Sequence, residues 1–308
     1  MSARLNSVVP YLLLVVATAS WGGNWVASRA VYNEVTPFAL VFWRLSLAAL
    51  IMLPLVAKHA RRDLPLVLER WRWIVFFGIT GPAAFPILGY LGVHYTTAIN
   101  ASLLNSSVPL VTVPIAWLIR RHRVHGWQLA GLVLSLIGVA VIISAGEPGR
   151  LAQFSFNPGD LLILTAVFLW AVYTVMLYRR PAMHPFSFFF YTTLVAIALC
   201  VPFYAVELAT GDTFPLNLRT AASVGYLALF PSAIAFVCWT HAVSVVGPNV
   251  ATFFYPMAPV CASIAAIVVL GERVHLYHLA GFALVLTGLF LAPARRQAGS
   301  AAAGDGKR

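Results

Sequence analysis

Long apolar runs of about twenty residues dominate this 308-residue sequence and restrict what it can fold into. A helix that crosses a hydrocarbon core about 30 Å thick needs about 20 mostly apolar residues. The runs continue without the alternation over about ten residues that barrel strands show, so they predict helices. Ten runs qualify, at roughly 8–29, 36–57, 72–92, 98–119, 126–145, 160–178, 185–206, 221–243, 249–270 and 275–293. The expected fold class is an all-α integral membrane protein with ten transmembrane helices.

The composition excludes most other classes of protein. Hydrophobic residues make up 61% of the chain and charged residues 9%, whereas a soluble domain carries about 25% charged residues. A water-soluble enzyme and a disordered chain are therefore both excluded. Cys200, Cys238 and Cys261 lie inside apolar runs without CxxC spacing, a pattern that supports neither a disulfide framework nor a metal site. We expect no metal and no cofactor.

The basic residues indicate how the chain is oriented. The formal net charge is +11, but the charges form short clusters between apolar runs, such as 58–62 and 120–123. Without a continuous basic face, nucleic acid is not an expected partner. With the N-terminus in the cytoplasm, 15 of the 20 Lys and Arg residues lie on the cytoplasmic side, four lie outside and Arg44 lies within a span. Because cytoplasmic loops carry an excess of Lys and Arg, both termini are predicted to be cytoplasmic, in a bacterial inner membrane.

The two halves of the chain repeat each other. Arg123-Val124-His125 returns as Arg273-Val274-His275, and Trp21 returns as Trp170. The chain is interpreted as two five-helix units, 8–145 and 160–293, followed by a disordered cytoplasmic tail, 294–308. An odd number of spans in each unit places the copies in opposite orientations, as in many secondary transporters. The repeat also favours a true first span over a cleaved signal peptide, which the N-terminal run superficially resembles.

Several motifs resemble those of the drug/metabolite transporter superfamily, in a ten-helix form with two EamA-type units. The motifs are Ser20-Trp21-Gly22-Gly23-Asn24, Thr36-Pro37-Phe38 with Arg44, Ala101-Ser102-Leu103-Leu104 with Pro109, and Gly271-Glu272-Arg273 before Ala280-Gly281. The resemblance implies that the first, third, fourth, sixth, eighth and ninth helices line a central cavity, while the fifth and tenth lie away from it. One departure is that Arg121-His122 occupies the place of the Gly-Glu turn in the first half.

Candidate site residues lie near the middle of the spans. Gly81-Pro82 and Pro231 are predicted to interrupt the third and eighth spans, because a proline removes a helical hydrogen bond, and paired interruptions mark transporter sites. The predicted substrate-binding residues are Trp21, Asn24, Trp25, Tyr90, Asn105, Trp170, Tyr173, Trp239 and Tyr255. Helix packing and interhelical hydrogen bonding are alternative roles for them. The buried charge of Arg44 is expected to meet a structural partner, such as freed carbonyls, or a substrate carboxylate.

These residues favour a particular class of cargo. The interior of the predicted spans contains no Asp or Glu, which argues against a proton-coupled exporter of cations. Aromatic and amide groups beside a cation suit neutral or zwitterionic metabolites, so we expect facilitated, downhill export of aromatic or neutral amino acids. Multidrug or organic-solute export and lipid flipping are the alternatives, and His94 and His241 leave proton coupling open.

No enzyme motif such as GxSxG or HExxH occurs in the sequence, so catalysis is not expected. The expected partners are a small-molecule substrate and the lipid bilayer. A monomer is compatible with the sequence, which leaves the oligomeric state open.

Overall fold

A computed structural model describes residues 2–31, 34–93, 95, 104–121, 125–147, 149, 157–211, 214–270 and 275–291, and in these ranges the chain is helical without strands. The Gly271-Glu272-Arg273 motif and the tail 294–308 lie outside the described residues. We label the main helices α1 Ser2–Ala30, α2 Pro37–Glu69, α3 Trp71–Gly92, α4 Val108–Arg120, α5 Gly126–Ile143, α6 Pro158–Met176, α7 Pro185–Ala209, α8 Leu218–Val246, α9 Met257–Leu270 and α10 Leu276–Leu291. A one-turn helix, Pro248–Thr252, precedes α9.

The described helices include six that are long and apolar enough to cross a bilayer: α2, α3, α5, α6, α7 and α8. Three further apolar segments are shorter, at Val8–Asn24, Leu104–Ile119 and Leu276–Leu291. Large hydrophobic side chains such as Leu118, Val268 and Phe290 are exposed on the outside of the bundle. An apolar outer surface of this kind is what contact with lipid requires, because the bilayer core offers polar groups no hydrogen-bond partners.

Proline and asparagine determine where several helices begin. Proline occupies the first turn of α2, α6 and α7, where its missing N–H removes no helical hydrogen bond. Before α6, the side-chain oxygen of Asn157 accepts hydrogen bonds from the backbone N–H groups of Gly159 and Asp160. Such an N-cap satisfies donors that would otherwise be unpaired.

Two carboxylates join α2 to α7 at opposite ends. Glu207, near the end of α7, accepts hydrogen bonds from the Thr36 hydroxyl and the Phe38 and Ala39 N–H groups at the start of α2. Asp63, near the end of α2, accepts a hydrogen bond from the N–H of His184, which caps the start of α7. Since each helix ends where the other begins, α2 and α7 are antiparallel. They are corresponding helices of the two repeats, so this arrangement agrees with the inverted repeat.

The helices α5 and α10 also pack in opposite directions, through pairs of glycines. A Cβ atom placed on Gly131 would lie 2.6 Å from the Gly288 carbonyl oxygen, and one on Gly138 would lie 2.7 Å from that of Gly281. Only glycine permits backbones to approach this closely. The Ser135 hydroxyl donates a hydrogen bond to the Val285 carbonyl across the same interface, at 3.3 Å.

The predicted helix interruptions take a different form. Neither Gly81-Pro82 nor Pro231 ends its helix; each lies in a π-helical segment, Ile79–Ala83 in α3 and Ala228–Ile234 in α8. The regular α-helix is therefore interrupted at both prolines, by a widened turn that accommodates the proline without ending the helix. In α8, the Ser232 hydroxyl donates a hydrogen bond to the Leu227 carbonyl, the group that an N–H at position 231 would otherwise reach.

The remaining helices form two groups that combine both repeats. The first group consists of α1, α8 and α9, since α1 packs against the other two. The second consists of α6, α3 and α4, since α6 packs against the other two. The helix α2 adds to the first group by packing on the π-helical segment of α8, and α7 adds to the second by packing on that of α3. The candidate site lies where these groups meet.

Candidate functional site

A cavity lies between the two helix groups and leaves about 630 Å³ of space unfilled by protein atoms, including its open part. Seven predicted site residues line it: Trp21, Asn24, Arg44, Tyr90, Asn105, Trp170 and Tyr255. The other lining residues are Phe85, Pro86, Gly89, Phe236 and Ala258. Trp25 lies in α1, but its side chain is outside the described part of the chain, as is His94.

Arg44 lies at the polar end of the cavity and is only 5% exposed. Its Nε donates a hydrogen bond to the Ser232 hydroxyl at 3.0 Å. Its Nη1 donates to Asn24 Oδ1 at 3.0 Å and to the Tyr90 hydroxyl at 2.9 Å. All three partners are neutral. Arg44 therefore reaches the π-helical segment of α8 through Ser232, and its hydrogen bonds to the described residues include none to a freed carbonyl.

Aromatic rings form much of the cavity wall. Trp21 meets Trp170 edge to face, with ring centroids 5.3 Å apart, and lies 5.8 Å from the ring of Tyr255. Phe85 and Phe236 lie 5.5 and 5.4 Å from Trp170. The indole N–H of Trp21 donates a hydrogen bond to the Pro231 carbonyl at 3.1 Å, which anchors this ring to the π-helical segment of α8. The rings form a rigid apolar wall suited to an aromatic or aliphatic group.

Two predicted site residues, Tyr173 and Trp239, lie beneath the aromatic wall and are absent from the cavity lining. They are 1% and 0% exposed. The Tyr173 hydroxyl is 3.1 Å from the Thr240 hydroxyl, and the indole N–H of Trp239 donates to the Thr174 hydroxyl at 3.4 Å. Both contacts join α6 to α8. The two side chains are therefore packed in the interior of the bundle.

Gly81 packs against the ring of Tyr173. A Cβ atom at Gly81 would lie 2.6 Å from the Tyr173 ring. The absence of a side chain at this position therefore lets the π-helical segment of α3 approach α6. The predicted residues Pro82 and Pro231 are both buried within the π-helical segments of α3 and α8.

The cavity wall includes two buried polar atoms without a hydrogen-bond partner among the described residues. They are Oδ1 of Asn105, a residue 7% exposed, and Nε1 of Trp170, a residue 2% exposed. One is an acceptor and the other a donor. Because an unpaired buried polar group is costly, each is a candidate partner for a bound solute or water.

Arg44 is the one charged residue in the described cavity lining, which contains no Asp or Glu. The described residues likewise include no group of three or more His, Cys, Asp or Glu side chains positioned to hold a metal ion. The local field is therefore that of a single cation in a mostly apolar space. Such a site attracts an anionic group and repels a cationic one.

Sequence reasoning did not assign Phe85, Phe236 or Ser28 to the site, and it noted Ser232 only as a polar residue near the middle of the eighth span. Ser28 lies 3.1 Å from the Tyr90 hydroxyl, and Ser232 holds the Arg44 guanidinium. The serines carried a weak signal, since each is a polar residue in an apolar span. The phenylalanines carried none, since phenylalanine is common on every face of these helices.

Comparison with known proteins agrees with the two-unit organisation. A model of the EamA-like transporter family matches residues 9–144 and 157–292. An uncharacterized transporter of Archaeoglobus fulgidus is 27% identical, covering 93% of this chain and 98% of its own. A probable terminal-alkyne amino-acid exporter of Streptantibioticus cattleyicolor is 28% identical, covering 94% of each chain. A protein of known crystal structure superposes with a TM-score of 0.77 at 20% identity, covering 92% of this chain and 96% of its own, and thus shares the fold.

Proposed function

Because this chain belongs to the EamA-like transporter family, with one unit in each half, it is a membrane transporter and not an enzyme, and we propose that it exports small metabolites, chiefly aromatic or neutral amino acids. The observation that carries the proposal is the cavity between the helix groups, which is lined both by aromatic rings and by Arg44. The probable terminal-alkyne amino-acid exporter among its relatives supports amino acids as a substrate class. The aromatic rings match the apolar side chain of an amino acid, and the polar residues around Arg44 match its polar head.

The proposed mechanism is alternating access between the two helix groups. Tyr173 and Trp239 close the predicted cytoplasmic end by bonding α6 to α8. At the other end, Tyr90 of α3 bonds to Arg44 of α2 and to Ser28 of α1. Breaking one set of contacts while keeping the other would open the cavity to one side at a time.

The repeat supplies a physical basis for this exchange. Asn24 corresponds to Tyr173, and Tyr90 corresponds to Trp239, each at a separation of 149 residues. One residue of each contact between α6 and α8 is thus the repeat counterpart of a residue that binds Arg44. Inverted units of this kind can exchange conformations, which moves the opening from one side to the other.

The proposed topology has all ten helices crossing a bacterial inner membrane, with both termini in the cytoplasm. The positive charges of the predicted cytoplasmic loops support this orientation. Since the described cavity lining contains no carboxylate that could carry a proton, the proposed transport is facilitated and downhill. A carboxylate in the membrane interior is a common proton carrier in coupled transporters.

Counterflow in proteoliposomes tests the proposal. Vesicles preloaded with unlabelled amino acid should accumulate labelled phenylalanine or another aromatic or neutral amino acid above protein-free vesicles. Trp21→Ala should lower the initial rate at least about tenfold, the size of effect expected for a central aromatic contact. Phe168→Ala is the matched control, because Phe168 is exposed on α6, away from the cavity.

Absence of flux for every amino acid in a broad panel would refute the proposed substrate class. Assays with a fluorescent drug and with a labelled phospholipid distinguish the two alternatives, organic-solute export and lipid flipping. Flux that survives Trp21→Ala unchanged would refute the proposed site.

A further inference from the structure

We propose that the cavity recognises its substrate through the carboxylate, with Arg44 as the anion site, and that an ammonium group adds nothing to binding. This inference rests on the proposed function and names the substrate class more narrowly. The preferred ligands are aromatic monocarboxylate anions, and amino acids bind as members of that class that carry an extra charge.

The first step is that the charge of Arg44 lacks a protein counter-charge. Its contacts are Asn24, Tyr90 and Ser232, and none of them is acidic. No salt bridge to Arg44 occurs among the described residues. A guanidinium held deep in a membrane protein without an anion is unfavourable, so an anionic solute that reaches it gains a strong interaction.

The second step is that Arg44, which lines the cavity, has donors without a protein partner among the described residues. The observed hydrogen bonds use Nε and Nη1. Within the described chain, Nη2 donates to no protein group, and the residue lines the cavity. A guanidinium presents a fixed fork of N–H groups that matches a carboxylate. Asn24, Tyr90 and Ser232 hold that fork in one orientation, which lowers the entropy lost when an anion binds.

The third step is the spacing between the anion site and the rings. Asn24, which binds Arg44, follows Trp21 by three residues on α1, a rise of about 4.5 Å. On α3, Tyr90, which also binds Arg44, follows Phe85 of the aromatic cluster by five residues, a rise of about 7.5 Å. A short linker of two or three carbons between ring and carboxylate spans such a distance.

The fourth step concerns the ammonium of an amino acid. The described cavity lining offers no carboxylate to neutralise it. Among the lining residues, Asn105 offers a neutral acceptor, its unpartnered Oδ1. A zwitterion therefore brings a second positive charge into a cavity that already holds Arg44, and like charges in a poorly solvated space repel. Removing the ammonium should leave affinity equal or improve it.

Binding of a matched phenyl series to the purified full chain in nanodiscs tests the proposal by calorimetry. The probes are 3-phenylpropionate, 3-phenylpropanol, phenylalanine and 2-phenylethylamine. Phenylpropionate should bind at least about tenfold more tightly than phenylpropanol, because only the former offers a carboxylate. Phenylalanine should bind no more tightly than phenylpropionate, and phenylethylamine more weakly than both.

Substitutions test whether Arg44 is the source of the preference for a carboxylate. In Arg44→Gln the preference for phenylpropionate over phenylpropanol should fall to about threefold or less, since the charge is gone. The affinity ratio is insensitive to the fraction of protein that is folded. Arg72→Gln, which removes a charge from an exposed residue, should keep the wild-type ratio. If Arg44→Gln does not fold, the comparison of the four probes in the wild-type protein decides.

The proposal is overturned if phenylpropanol and phenylpropionate bind equally to the wild type, or if phenylalanine binds about tenfold more tightly than phenylpropionate. A preference that survives in Arg44→Gln also overturns it, because the anion site would then lie elsewhere. These outcomes are separate from failure of the proposed function. Amino-acid counterflow without a preference for carboxylates supports the proposed transport and rejects the anion site. Binding of carboxylates through Arg44 without amino-acid flux supports the anion site and rejects the proposed transport of amino acids.

Discussion

Replacing Glu207 should destabilise the protein through the start of α2. Its carboxylate accepts three hydrogen bonds there, from the Thr36 hydroxyl at 2.6 Å, the Phe38 N–H at 3.2 Å and the Ala39 N–H at 2.9 Å. Hydrogen bonds to a charged group contribute about 1.5–3 kcal/mol each, and a carboxylate at a helix N-terminus adds about 0.3–1 kcal/mol. Glu207 is half-buried, so water replaces much of this in the variant. We expect Glu207→Ala to lower the free energy of unfolding by about 2–3 kcal/mol.

Thermal unfolding in detergent measures this effect. A change of 1 kcal/mol shifts the midpoint by about 2–4 °C for chains of 150–250 residues and by less for longer ones. The expected decrease for Glu207→Ala is therefore about 4–6 °C. Glu69→Gln is the matched control, since Glu69 forms an exposed ion pair with Arg70, and such pairs contribute about 0–1 kcal/mol.

A double-mutant cycle separates the cap from general packing. Thr36→Val removes one of the three donors to Glu207. The destabilisation caused by Thr36→Val should nearly vanish when Glu207 is already alanine, since the hydrogen bond between the two side chains is then already absent. Additive effects, or a Glu207→Ala midpoint within about 1 °C of the Glu69→Gln control, would refute the reasoning.

Two further changes probe other parts of the molecule. Gly138→Ala should destabilise by about 1–3 kcal/mol, because its Cβ would lie 2.7 Å from the Gly281 carbonyl oxygen; thermal unfolding should show this, while Gly126→Ala, where the space is open, should have little effect. Burial and the neighbouring His59 lower the pKa of His184, an effect that Asp63 opposes. At His184 the unfolded chain therefore binds a proton more readily than the folded chain does. The free energy of unfolding should fall as the pH drops from about 7 towards the lowered pKa. Unfolding midpoints measured at several pH values should show this, and His184→Gln should make them less dependent on pH.

The arrangement of the helices could be predicted from the sequence because it depends on local and repeated signals. Apolar runs mark helices independently of their neighbours, and the spacing of Gly131 and Gly138 against Gly281 and Gly288 indicates close packing. The form of the helix at Pro82 and Pro231 was not predictable in the same way. A proline removes one hydrogen bond in a broken helix and in a π-helical turn alike. Which of these forms results depends on how the freed carbonyl is satisfied, here by the Ser232 hydroxyl of the same helix, whose oxygen also accepts a hydrogen bond from Arg44 of α2.

The site was harder to predict than the fold, since helix periodicity does not say which aromatic residue faces open space. Trp170 and Tyr173 are adjacent on one face of α6, with ring centroids 5.1 Å apart. Only Trp170 lines the cavity. The partners of Arg44 likewise come from α1, α3 and α8, and no spacing along the chain brings them together. Their meeting is a property of the packed bundle.

Residues at corresponding positions of the two repeats differ in how deeply they are buried. Asn24 is half-buried at the cavity, whereas its counterpart Tyr173 is 1% exposed in the interior of the bundle. Tyr90 is likewise half-buried, whereas its counterpart Trp239 is 0% exposed. Related sequences in an inverted fold thus occupy unequal environments. If the proposed exchange occurs, a second conformation must bury Asn24 and Tyr90 and open the contacts of Tyr173 and Trp239. Arg44, which binds both Asn24 and Tyr90, would then lie within the closing end. An anion bound at Arg44 is therefore positioned to influence which end closes.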